Sequence, residues 1–86
     1  MPGAARKDAD TAGGTIVGGS GDVIINGSGA ARIGDPVAGH GDSPHDGPTM
    51  AAGSGDVIVN NIGICRDGDP ATCGDTATGS SDVIVN

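Results

Sequence analysis

The chain has 86 residues, 18 of them glycine and five proline, with no aromatic residue and a formal net charge of −7. Only four Lys and Arg stand against 11 acidic residues. This excludes the basic footprint of a nucleic-acid binder and attraction to anionic lipid, and no apolar run approaches the ~20 residues of a bilayer span. The opening "MPGAARKDAD" turns polar at once, with no apolar stretch of the signal-peptide kind behind it, so the expected site of synthesis and assembly is the cytoplasm.

The apolar residues larger than Ala are Val, Ile and two Met, apart from Cys65 and Cys73. Val and Ile favour strands, and the glycines and prolines interrupt any long helix, so an all-β fold is predicted. In chain order, "GAAR" at 3–6 is followed by "GSGDVIIN" at 19–26, "GAAR" at 29–32, "GSGDVIVN" at 53–60, "GICR" at 63–66 and "GSSDVIVN" at 79–86. The spacings define one domain, 1–86, built of units 1–26, 27–60 and 61–86, the middle one carrying eight extra residues. Each unit is expected to hold a strand at "DVIxN", a turn at the glycines, a second strand through "AAR" and then a loop. Three units are about the minimum at which repeats bury a common core.

Alternate side chains of a strand take opposite faces. Val23 and Ile25 share one face and Ile24 takes the other; the same holds for Val57 and Val59 against Ile58, and for Val83 and Val85 against Ile84. One face can point at a pseudo-threefold axis. The other either meets a partner protein or is buried within the monomer. Arg6, Arg32 and Arg66 recur once per unit, with Asp35 and Asp69 three residues after the last two. They pair with a partner, with Asp22, Asp56 and Asp82, or within their own turns; turn-fixing is the preferred reading. Unit one reads "RKDAD", breaks the pattern, and is expected to be looser there.

The loop "GDPVAGHGDSPHDGPT" holds the only two histidines, His40 and His45, and the matching loop of unit three, "GDPATCGDT", holds Cys73. Two imidazoles and a thiolate suit Zn²⁺, though the spacing alone is a weak signal. Cys65 lies eight residues before Cys73. An extended segment at about 3.3 Å per residue separates them by roughly 26 Å. Cys65 is therefore read as a small buried hydrophobe matching Ala5 and Ala31, and a Cys65–Cys73 disulfide, which needs Cα atoms within about 7 Å, is not expected.

The three "GAAR"-type segments, "RIGDP" and "RDGDP", the "DVIxN" octapeptides and an inserted loop with "HDGPT" together resemble the PAAR-repeat family over the whole chain. The resemblance implies a small cone of three β-repeats with pseudo-threefold symmetry and a structural zinc ion near its apex. It implies a non-enzymatic tip that caps and sharpens the blunt end of a homotrimeric, VgrG-like β-helical spike. Such spikes belong to type VI secretion machines, contractile phage tails and related injection devices. One copy per trimer, transient contact with a target membrane, effector mounting and delivery at the machine's tip follow from the same resemblance. The expected metal ligands are His40, His45 and Cys73, with Asp10, Asp42, Asp46 or a water completing the sphere, because Ala12 stands where the family offers a loop-one His. The expected partner surface is Val23, Ile24, Ile25, Val57, Ile58, Val59, Val83, Ile84 and Val85.

Two rivals come from other classes. A calcium- or metal-stabilised β-roll is suggested by "GGSGD" at 18–22, but Asp22 falls one position early and the copies are not nine residues apart. A small enzyme using Cys73 with His40 or His45 lacks an orienting third group and the large apolar residues that wall a pocket.

Overall fold

A computed structural model describes residues 1–86. The chain is all-β and helix-free, a small cone with extents of 32 × 23 × 22 Å. Its strands are short. Thr11–Ala12 (β1) pairs with Gly14–Thr15 (β2), Ile24–Ile25 (β3) with Ser28–Gly29 (β4), and Ile58–Val59 (β5) with Ile62–Gly63 (β6), each pair antiparallel. Of 37 backbone hydrogen bonds, 32 lie outside these strands, so turns and single bridges carry most of the architecture.

The β3–β4 and β5–β6 hairpins turn through two residues with positive φ, Asn26–Gly27 at 52° and 84° and Asn60–Asn61 at 53° and 66°. Two left-handed residues in a two-residue loop make the turn whose twist matches antiparallel strands, and Asn and Gly tolerate that conformation best. The third copy of the octapeptide has no turn after it. Instead Ile84 bridges Gly3, the Ala4 amide donates to the Val83 carbonyl, and the Val85 amide to that of Pro2. Each "DVIxN" strand thus pairs with the "GAAR" segment of the following unit, and the third pairs with the first.

That cyclic pairing produces a closed ring at the axis. The Ala5 amide donates to Cys65, Cys65 to Ala31 and Ala31 back to Ala5, at 2.9, 2.8 and 3.0 Å. A wider ring repeats the operation, with Lys7 donating to Gly29, Ile33 to Gly63 and Asp67 to Gly3. Only small side chains fit at an axis approached from three sides, which explains the residues Ala5, Ala31 and Cys65, all fully buried. Cys65 sits as the sequence predicts, and burial pushes its thiol pKa up to about 12.

Two apolar clusters lie on either side of the ring. One joins Ala4, Ala30 and Ile64 to Ile25 and Val59, with Val57, Val83 and Val85 packed against it. The other joins Ala5, Ala31 and Cys65 to Ile16, Met50, Ala77 and neighbours, with Cys73 packed against it. The hairpins and the histidine loops therefore occupy opposite ends.

Each "GSxD" segment closes on its serine. Ser20 Oγ accepts the amides of Asp22 and Val23, Ser54 those of Asp56 and Val57, and Ser80 those of Asp82 and Val83, all at 2.9–3.0 Å. These serines are buried, and the bonds hold the entry to each strand.

The arginines fix turns within the chain. Arg32 and Arg66 each fork onto Asp35 and Asp69, whose Oδ2 also accepts the arginine's own amide. No hydrogen bond joins any arginine to Asp22, Asp56 or Asp82. Unit one is not loose. Arg6 forms the same fork on Asp10, four residues on, with Nε to Oδ2 at 2.7 Å and Nη2 to Oδ1 at 3.2 Å. Asp8, at φ 62°, occupies the left-handed place that Gly34 and Gly68 take in the other turns, and the additional residue is absorbed there.

Candidate metal centre

Three loops project from the Arg–Asp turns at the end opposite the hairpins: 11–15, 36–49 and 70–76. Loop one is the β1–β2 hairpin, turning at Gly13 with φ 84°. Loop two closes on itself through His40 N to the His45 carbonyl and His45 N to that of Asp42. Loop three is a tight turn, with Ala71 N donating to Asp75 and Gly74 N to Ala71. It places Cys73 and Asp75 on either side of Gly74, whose φ is 92°. The loops are stitched together by Ala38 N to Thr15 and Thr72 N to Thr49.

Loops two and three meet at four side chains. His40, His45, Cys73 and Asp75 each offer one donor atom, and all four atoms lie within 4.8 Å of one another. Asp75 Oδ2 is 2.8 Å from His40 Nε2, 3.3 Å from His45 Nδ1 and 3.5 Å from Cys73 Sγ. His40 Nε2 is 3.1 Å from His45 Nδ1 and 3.8 Å from Cys73 Sγ. In a tetrahedral zinc site with bonds near 2.1 Å, ligand atoms stand about 3.4 Å apart. The cluster has that size and a donor set of two imidazoles, a thiol and a carboxylate.

The orientation of His40 is fixed from behind. Its Nδ1 lies 3.0 Å from the Ala38 carbonyl, which can only accept, so Nδ1 carries a proton and Nε2 faces the cluster. That partner, an outer hydrogen bond fixing the tautomer, is typical of metal-binding histidines. The Ala38 carbonyl and then Asp75 raise the pKa of His40 above 6.5. The His40 hydrogen bond holds the Asp75 carboxyl below the ordinary range. Loop one supplies backbone alone. A Cβ at Gly13 would collide with Asp75 Oδ2 and His40 Nε2, so the glycine lets the chain lie directly against the cluster.

The structure brings together the three residues named from sequence and adds Asp75, which the sequence reading did not name. Asp10 is elsewhere: its carboxylate accepts from Arg6 and from Thr78 Oγ1 at 2.8 Å, and its place in the Arg–Asp turn removes it from the donor group. Asp42 and Asp46 are exposed members of loop two outside that group. Ala12 is buried in the apolar cluster. The signal for Asp75 was its place two residues after Cys73, where a tight turn brings both side chains to one side.

At the other end the nine strand residues divide. Ile25 and Val59 turn inward, 9 % and 3 % exposed, and line the core. Ile24, Ile58 and Ile84 turn outward, 56 %, 54 % and 46 % exposed, so the strands are not buried on both faces within the monomer. Val23 is exposed, while Val57, Val83 and Val85 are half-buried against the inner cluster.

A family model described as PAAR motif matches residues 6–79. No curated protein matches the chain.

Proposed function

The chain belongs to the PAAR-motif family, which is associated with the spike tips of contractile injection systems, and from that premise we propose that it caps a homotrimeric, VgrG-like spike, one copy per trimer, and sharpens it for membrane entry. The observation that carries this reading is the outward triad of Ile24, Ile58 and Ile84, one per repeat around a pseudo-threefold axis. A monomer with three near-equivalent faces matches a trimer whose subunits each present the same face. Three large exposed aliphatics in one zone are the expected mark of a protein-facing surface, and docking adds burial that so small a core lacks. The units 1–26, 27–60 and 61–86 would each meet one subunit.

At the opposite end, His40, His45 and Cys73 are proposed ligands of a structural zinc ion. Apolar packing reaches only the bases of these loops, through Ala12, Val37 and Ala71, and a bound ion would fix the tips by coordination. The role is mechanical, with effector mounting and delivery at the machine's tip as extensions of the same reading.

The test is native mass measurement of the chain mixed with the purified trimeric spike of its own injection machine. One copy per trimer is expected, and Ile58→Asp should abolish the complex while its circular dichroism remains that of the wild type. Three copies per trimer, or no complex with the wild type, would overturn the proposal.

A further inference from the structure

We propose that Asp75 is the fourth ligand of the metal, so that all four donors come from loops two and three and loop one contributes none. The inference rests on the metal reading above and adds the residue that closes the sphere. Four observations carry it. Asp75 Oδ2 is the one carboxylate oxygen in the group, within 3.5 Å of each of the other three donor atoms. The alternatives drawn from sequence are accounted for, Asp10 by Arg6 and Thr78 and Asp42 and Asp46 by their exposure outside the group. Loop one cannot reach in with a side chain at Gly13, where a Cβ would displace Asp75 and His40. Asp75 also sits with Cys73 on one tight turn, held by Ala71 N to its own carbonyl.

Two consequences follow from charge and connectivity. A thiolate and a carboxylate balance a divalent ion, so the loaded centre is neutral with two neutral imidazoles. The donors form two pairs, His40 with His45 and Cys73 with Asp75, and the ion ties loop two to loop three. Loop one adds no donor and is held by Thr78 N to the Thr11 carbonyl at 2.9 Å, by Thr11 N to Thr78 Oγ1 at 3.1 Å, and by Ala38 N of loop two to Thr15. Metal uptake should therefore order loops two and three most, and loop one less, since it touches the cluster only through backbone.

The test uses the full chain freed of metal and titrated with Co²⁺, whose visible spectrum reports ligand number and type, followed by competition with Zn²⁺. The wild type should give the intense bands of a four-coordinate site with a sulfur-to-cobalt transition near the ultraviolet. Removing an outer partner of a metal ligand costs about 10–100-fold in affinity, so Asp75→Ala should cost more than about 100-fold and change the visible bands. Asp75→His should restore a four-coordinate spectrum with shifted bands, which separates loss of a ligand from failure to fold. Asp42→Ala and Asp46→Ala should match the wild type. Amide exchange with and without Zn²⁺ should show protection rising most in 36–49 and 70–76 and least in 11–15. An unaltered spectrum and affinity in Asp75→Ala, or their loss in Asp46→Ala, would overturn the assignment of Asp75 alone. A wild type that takes up neither ion would overturn the metal reading itself.

Discussion

Ser20, Ser54 and Ser80 hold the same pair of amides in three places, whereas the three loops at the far end share neither length nor composition. The hairpin end obeys a rule the chain applies to itself three times, and a residue that fails there fails against two neighbouring repeats. At the loop end the repeat reaches the loop bases, where Val17 donates to Pro36, Ala51 to Pro70 and Thr78 to Thr11, and stops at the tips. The tips of loops two and three meet in a single cluster of side chains to which loop one adds none. Symmetry specifies the first region and one group of four side chains the tips of the second, so damage to the two ends should look different.

The largest effect should come from the repeated end. A Cβ at Gly63 meets the Ser54 carbonyl, and one at Gly29 meets that of Ser20, where backbone cannot give way. Overpacking costs about 1–3 kcal/mol and more where backbone must move. Gly63→Ala should therefore lower the denaturant midpoint by the equivalent of about 3 kcal/mol, with or without metal; a wild-type midpoint would break the comparison. Next comes the cluster. Zn²⁺ at a hundredfold excess over its dissociation constant should add about 2.7 kcal/mol, read as a rise in melting temperature. Cys73→Ser should lose most of that rise, while Cys65→Ala, at the ring, should keep it. If Cys65→Ala lost the zinc response instead, the two ends would not be independent.

The smallest expected effect sharpens the comparison at Asp10. Burial raises its pKa, but hydrogen bonds from Arg6 and Thr78 overcome this and leave it below the ordinary carboxylate value. A depressed folded pKa gives stability that is fully present above the unfolded value, near 3.9, and is lost as pH falls through the folded one. Metal-free wild type should thus lose stability below about pH 4 more steeply than Asp10→Asn, which is weaker at neutral pH. Equal slopes in acid melts would remove Asp10 from the account.

The repeats, the all-β fold and the buried place of Cys65 were legible because each depends on spacing or side-chain size, whereas the grouping of His40, His45 and Cys73 rested on the family resemblance, their spacing alone being weak. The order of "DVIxN", turn and "AAR" strand was legible as well, but not that this hairpin crosses from one unit into the next. A hairpin within a unit and a hairpin across the unit boundary place the same alternation on "DVIIN", and only the Asn26–Gly27 turn, with both residues left-handed, decides between them. Asp10 was misread as a ligand candidate because "RKDAD" sets the carboxylate one residue late; Asp8 takes a positive φ and restores the pairing with Arg6. Asp75 was passed over because nothing in composition separates it from the other aspartates. Its role depends on the turn at Gly74, which no periodic pattern announces.

The closed ring of Ala5, Cys65 and Ala31 has a mechanical meaning. Each "GAAR"-type segment is bonded to the next and the last to the first, and the third octapeptide is bonded to residues 2–4, so the chain's two ends are held in the same closed set. A thrust along the axis is shared among three bonded seams and loads them together, as a barrel hoop takes the push of its staves. Yielding then requires several hydrogen bonds to part at once instead of one after another, and a body with very little core can stay rigid under a brief axial blow.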